Sequence, residues 1–351
     1  MTPPKHTSKV VREDPQDNPN ALHAFHTAKR GPKNIPDHII MSDSDQPPGS
    51  LPKDPGHPHA STSHISFNYF DQRKSNAPFG YEYYVSLPPA YTTDTTKTWP
   101  LILFLHGAGE SQRGINESFA SIRHGIPKVI LCYDKFKSGV NPAKIDIPLA
   151  PRLRSSRQTR QGDKSTEPID SEVCCLLAEN FITATPSLNM EYGYGWNASI
   201  LSALLDEIVE RYRVDVERVH VTGFSMGGYG SWDLAMYSPN RFATVMPICG
   251  GGDTVRAGLI KHIPHWVHHG DKDDIIPLRA SQQMVRALEK AGAPEVEFTR
   301  YPDLMHDSWT AAYGNIEVYK WMLRHKRPRD VRGDEKVVPE ENKVVVGPES
   351  T

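Results

Sequence analysis

The stretch RVHVTGFSMGGYGSWDLAMY, residues 218–237, decides how this chain is read. Its first part sets Val219 and Val221 in a β-like alternation, and its second part has the texture of a helix. Between them stands G-x-S-x-G, as Gly223-Phe224-Ser225-Met226-Gly227. With Gly and Ser each near 7% of residues, that pattern arises by chance about 0.1 times in a chain this long. Its context raises its weight. A strand, a sharp turn and a helix form an elbow that holds a serine in a strained backbone conformation with its Oγ exposed. Side chains at Gly223 and Gly227 would collide with the strand and helix that pinch the turn, and Gly228 and Gly230 extend the same close-packing surface.

Upstream, LILFLHGAG (101–109) reads as a buried central strand that ends in a glycine-rich loop. Such a loop lets backbone approach a ligand, and it is no phosphate loop, because no GK[ST] follows. In a serine hydrolase of this architecture the oxyanion is held by the N–H after the nucleophile and by one from this loop, here Met226 and Ala108. His106 opens the loop and supports its backbone. Downstream, the elbow's chain order requires an acid and then a histidine at strand ends on one edge of the sheet. PHWVHHGDKDDIIP (264–277) ends a β-run in an aspartate-rich loop, and YPDLMHDSW (301–309) sets His306 just beyond the next strand. Asp273 is the first choice of acid, since Gly270 makes the turn and the third residue after it returns to the sheet edge; Asp274 is the second. His268 and His269 precede the acid and read as strand packing. Ser225 would attack, His306 would take and return the proton, and Asp273 would fix the tautomer of His306.

The rest of the chain supplies the framework. Further β-runs at 64–70, 81–87, 181–186, 243–249 and 296–302 alternate with helical stretches. The clearest helix opens on an Asn197 cap and sets Leu201, Leu204, Leu205, Ile208 and Val209 along one face. Strands alternating with helices imply right-handed crossovers and a mainly parallel sheet, an α/β architecture. Of 30 prolines, 11 fall in residues 1–60, where apolar periodicity is almost absent. Residues 1–63 are therefore expected to be a disordered Pro/His-rich tail, 64–326 the catalytic domain and 327–351 a disordered charged tail. The polar segment 134–172, with eight Lys/Arg against six Asp/Glu, reads as an insertion, either a lid or a disordered loop.

Composition excludes several classes. Forty Lys+Arg against 42 Asp+Glu give a formal net charge of −2, which supplies no field for nucleic acid. No apolar run approaches the roughly 18–20 residues that span a bilayer, so no membrane span is expected. No secretory signal is visible at the start, and four cysteines without a CxxC pair build no disulfide scaffold, so a cytoplasmic location is expected. No Cys/His spacing proposes zinc, HExxH is absent, and neither metal nor cofactor is expected.

LFLHGAGE, GFSMGGYG, HGDKDDIIP and MHDSW together resemble the α/β-hydrolase superfamily, and more narrowly its esterase branch with phospholipase/carboxylesterase, polyhydroxyalkanoate-depolymerase-like and prolyl-oligopeptidase-like members. The resemblance runs over about 80–326. It implies the α/β-hydrolase fold, a mostly parallel central sheet with helices on both faces. It also implies a cofactor-independent serine hydrolase, with Ser225, Asp273 and His306 as triad and Ala108 and Met226 as oxyanion hole. The expected reaction is cleavage of a small-molecule carboxylic ester, or thioester, through an acyl-serine. A serine peptidase of the prolyl-oligopeptidase type and a non-catalytic ligand-binding protein are the alternatives. Trp196, Phe224 and Trp309 are candidates for a substrate pocket, beside Tyr192 and Tyr194.

Overall fold

The computed structural model describes residues 65–67, 81–112, 118–133, 136, 144–148, 166–190 and 193–327. The expected tails, 1–63 and all of 327–351 except Arg327, lie outside the described residues, as does Tyr192. Ten strands are present among the described residues: β1 (Ile65–Phe67), β2 (Glu82–Ser86), β3 (Trp99–Leu105), β4 (Lys144–Pro148), β5 (Thr166–Asp170), β6 (Ile182–Ser187), β7 (Val214–Phe224), β8 (Thr244–Ile248), β9 (His265–Gly270) and β10 (Val296–Tyr301). The helices are α1 (Ile126–Leu131), α2 (Ser171–Asn180), α3 (Ala198–Arg211), α4 (Met226–Tyr237), α5 (Arg279–Lys290), α6 (Trp309–Tyr313) and α7 (Ile316–Arg324).

Eight strands form one sheet in the order β1-β2-β6-β3-β7-β8-β9-β10. The six from β6 to β10 run parallel, and β1 and β2 add an antiparallel edge. Every residue of β3 is buried, which is why its sequence is a continuous apolar run. Its side chains alternate between two cores. Leu101, Leu103 and Leu105 pack with Leu201, Leu204 and Leu205 of α3, Trp232 of α4 and Met284 and Leu288 of α5. Ile102 and Phe104 pack on the opposite face with residues of α1, α2, α6 and α7. Each such buried side chain contributes about 1.5–3 kcal/mol relative to exposure, so the sheet is clamped from both sides.

Local chemistry sets the helix starts. Asn197 Oδ1 accepts the N–H of Ser199 and Ile200 at 3.0 and 3.2 Å, which satisfies two of the donors that open α3. Asp170 caps α2 in the same way through Glu172 N–H. The segment 134–172 carries regular structure that its polar composition conceals: β4 and β5 pair antiparallel, Lys144 with Asp170 through Pro148 with Thr166. Of the insertion 134–172, read as a lid or a disordered loop, residues 134–135, 137–143 and 149–165 lie outside the described residues. Among the described residues, no helix is long and apolar enough to cross a membrane.

Candidate active site

Parallel strands deliver their following loops to one edge of a sheet, and here five strands deliver the polar residues of one site. Ser225 follows β7, the His106–Glu110 loop follows β3, Cys249 follows β8, Asp273 lies three residues beyond β9, and His306 lies five beyond β10.

Ser225 sits between β7 and α4 with φ 55° and ψ −119°, a left-handed backbone conformation that costs a non-glycine residue roughly 1–3 kcal/mol. The surroundings hold it there. Its N–H donates to Ile248 O at 2.9 Å, and α4 starts at once with Met226. The turn is tight enough that a Cβ on Gly227 would lie 1.9 Å from Leu105 O, and one on Gly223 would lie 2.5 Å from the same oxygen. β3 and the elbow thus touch backbone to backbone, and only glycine permits this contact.

The three residues expected to act together are in hydrogen-bond reach. His306 Nδ1 lies 2.8 Å from Asp273 Oδ2, and His306 Nε2 lies 2.9 Å from Ser225 Oγ. A carboxylate only accepts, so Nδ1 carries the hydrogen; in the neutral ring Nε2 then presents a lone pair that accepts the Ser225 hydroxyl. Asp273 has a fully buried side chain, and its Oδ1 accepts the N–H of Ile275 and Ile276 at 2.9 Å each. Burial would raise its carboxyl, but hydrogen bonds from His269 and His306 outweigh it and hold the group at about 2. For His306, burial disfavours the imidazolium, while Cys249 and Asp273 favour it. Burial pushes the Cys249 thiol up, so at neutral pH Asp273 is the charged neighbour that favours the imidazolium of His306.

Asp274, the second choice, is exposed. Asp271 forms a two-pronged ion pair with Arg300, at 2.8 Å for each contact, away from His306.

Ala108 and Met226 each open a helical turn, Ala108 a 3₁₀ turn to Glu110 and Met226 α4 itself, and the N–H groups at such starts have no partner within the turn. The Ala108 loop is fastened from behind. His106 is fully buried; its Nδ1 contacts Gly107 O at 2.7 Å, and its Nε2 accepts the Leu188 N–H at 3.1 Å. Its carbonyl accepts Trp196 Nε1–H at 3.2 Å.

The aromatic residues proposed for a pocket sit differently from that expectation. Phe224 is 1% exposed and stacks on Trp309, 6% exposed, with ring centroids 4.2 Å apart, so both belong to the core beneath the site. Trp309 meets the His306 ring edge-on at 5.4 Å and supports it from below. Trp196 is half-buried between His106, Tyr81 and Gly230 and anchors the loop. Tyr194 is largely exposed.

Three residues escaped the sequence reading. Glu110 is buried at the end of the loop, where burial, opposed by Arg123, pushes its carboxyl up to about 7. Cys249 has φ 40° and its Sγ lies within 4.8 Å of a His306 nitrogen. His269, read as strand packing, lies 3.1 Å from Asp273 Oδ2. The spacing His269-x-x-x-Asp273 across Gly270 was the available signal. Among the described residues, Cys249, Asp273 and His306 form the one set with metal-ligand character, their atoms within 4.8 Å of one another. A metal there would have to displace the hydrogen bonds that engage both His306 nitrogens.

Residues 186–319, which include Ser225, Asp273 and His306, match the phospholipase/carboxylesterase family model. Over 77 residues the chain is 30% identical to the bifunctional acetylxylan esterase/xylanase XynS20E of Neocallimastix patriciarum, a match covering 22% of this chain and 11% of that protein. Among solved structures, a thermostable esterase superposes with a TM-score of 0.55 at 23% identity, over 75% of this chain and 63% of its own. A Pyrococcus horikoshii acylaminoacyl peptidase gives a TM-score of 0.44 at 13% identity, over 74% and 40%. The chain thus spans less than two thirds of the curated relative and of the solved esterase. The mostly parallel sheet with helices on both faces and the likeness to the solved esterase give the chain the α/β-hydrolase fold.

Proposed function

We propose that the protein is a serine hydrolase that cleaves carboxylic esters or thioesters of small molecules, and that 64–326 is its catalytic domain. The observation that carries this is the continuous relay from Ser225 Oγ through His306 to Asp273, at 2.9 and 2.8 Å. The match of 186–319 to a phospholipase/carboxylesterase model supports the ester reading.

In this reaction His306 Nε2 takes the hydroxyl proton as Ser225 Oγ attacks the ester carbonyl. Asp273, ionised far below neutral pH, stabilises the imidazolium that forms. The N–H groups of Ala108 and Met226 donate to the developing oxyanion, an interaction worth about 2.7–4 kcal/mol per donor in comparable sites. His306 Nε2–H then gives the proton to the departing alcohol or thiol. Water, deprotonated by the same nitrogen, attacks the acyl-serine; the bond from the acyl carbon to Oγ then breaks, Nε2–H returns its proton to Ser225 Oγ, and the acid is released. No step calls for a cofactor.

The test is a panel of p-nitrophenyl esters, acyl-thioesters and Xaa-Pro peptides with the wild-type protein and Ser225→Ala. Ester or thioester turnover that Ser225→Ala abolishes is expected. Turnover confined to the peptides would replace the esterase reading with a peptidase one, and turnover that survives Ser225→Ala would end the serine mechanism.

A further inference from the structure

Asp273 receives more donors than a three-residue relay needs. Besides Ile275, Ile276 and His306, His269 Nε2 lies 3.1 Å from Oδ2, the same oxygen that accepts from His306. The neighbours of His269 fix its proton. Its Nε2 also lies 2.9 Å from Ile276 O, so both atoms it meets only accept, and Nε2 must carry a hydrogen. Its Nδ1 lies 2.7 Å from Ser281 Oγ in the first turn of α5, and that hydroxyl lies 3.0 Å from Gly250 O. Ser281 has one hydrogen to give. Given to Gly250 O, it leaves Ser281 to accept from Nδ1–H and the ring is an imidazolium; given to Nδ1, it leaves the ring neutral. In both states Nε2 keeps its hydrogen, which Ile276 O at 2.9 Å and Asp273 Oδ2 at 3.1 Å share. The ring is fully buried, and its strand is held in register, with His269 beside Arg300 of β10 and His268 beside Ile248 of β8.

We propose that His269 is a positioning residue of this site: anchored by β9 and Ser281, it shares Asp273 Oδ2 with His306, fixing the carboxylate and drawing off part of the negative charge that His306 meets. The proposal rests on reading His306 as the base. The titratable groups facing Asp273 are His269 from β9, His306 after β10, Cys249 after β8 and Tyr229 of α4. Of these, His269 alone joins the acid to α5. Removing its N–H concentrates the carboxylate's charge on His306, so the imidazolium becomes easier to form.

The test compares H269L, which keeps bulk but has no N–H, with H269Q, whose amide N–H reaches the same oxygen. By NMR, the imidazole titration of His306 in H269L moves to higher pH by about half a unit or more, the scale set by one hydrogen bond to a charged group. The acid limb of kcat/KM follows it, and H269Q returns both toward wild type. A titration that stays in place or moves down in H269L, or that moves equally in H269Q, overturns the proposal. On the unaltered protein, ¹⁵N spectra are expected to show His269 protonated at Nε2 near neutral pH; an unprotonated Nε2 also overturns it, even if H269L fails to fold. The NMR readings need no substrate. Failure of the ester panel would therefore remove the hydrolase reading and leave these measurements to decide the role of His269.

Discussion

Gly227→Ala tests whether the elbow is built on backbone contact. The added Cβ would stand 1.9 Å from Leu105 O, 2.5 Å from Leu105 C and 2.8 Å from His106 O, whereas ordinary van der Waals contact begins near 3.4 Å. The end of β3 and the first turn of α4 must therefore part by roughly 1.5 Å, the difference between 3.4 and 1.9 Å. Neither side is a flexible side chain, so the cost belongs at the upper end of overpacking, about 3 kcal/mol. Alanine regains about 1 kcal/mol of helix propensity over glycine, which leaves a net loss of about 2 kcal/mol. At 2–4 °C per kcal/mol for a domain of this size, Tm should fall by about 4–8 °C. Because Leu105 leads directly into the His106–Ala108 loop, reaction at Ser225 should fall as well. Thermal unfolding by circular dichroism measures the first effect, with Gly258→Ala as control, since nothing lies within 4 Å of a Cβ at Gly258. A Gly227→Ala protein as stable as wild type would refute the close-approach argument.

Two further outcomes concern the acid. Asp273→Asn leaves the geometry nearly intact but removes the charge and the acceptor that set the His306 tautomer; ester turnover should fall about 10⁴-fold. Asp274→Asn, at an exposed position, should leave turnover close to wild type, and the reverse ranking would reassign the acid. The same carboxylate should shape acid stability. Its folded value of about 2 lies below the ordinary 3.8, so it stabilises the fold above about pH 4, and that contribution is lost as pH falls toward 2. The difference is worth roughly 2 kcal/mol at 1.36 kcal/mol per pH unit. Urea unfolding at pH 6 and pH 3 should show a smaller loss of stability on acidification for Asp273→Asn than for wild type; equal losses would contradict the assignment.

Much of the framework was legible because burial writes itself into composition. β3 packs on both faces and is continuously apolar, and α3 shows its core stripe and its Asn197 cap. The juxtaposition of Ser225, Asp273 and His306 was legible because a parallel sheet brings successive strand ends to one edge. What stayed hidden depends on side-chain direction or on weak local patterns. The β4–β5 pair, KIDIP with TEPID, carries a proline in each strand and no apolar alternation strong enough to mark it. Phe224 precedes Ser225 and Trp309 lies three residues after His306, and sequence proximity cannot say that their rings turn into the core and stack there. His269 looks like strand packing by composition; only the turn at Gly270 brings its ring beside Asp273.

The central claim is that Ser225 Oγ is the nucleophile, made reactive by His306 at 2.9 Å. The measurement that bears on it most directly is reaction of the folded protein with a fluorophosphonate, followed by mass-spectrometric mapping of the adduct. The account predicts one phosphonyl group, on Ser225, and none on the folded Ser225→Ala protein. A folded wild-type protein that takes up no label, or an adduct on another residue, would contradict it.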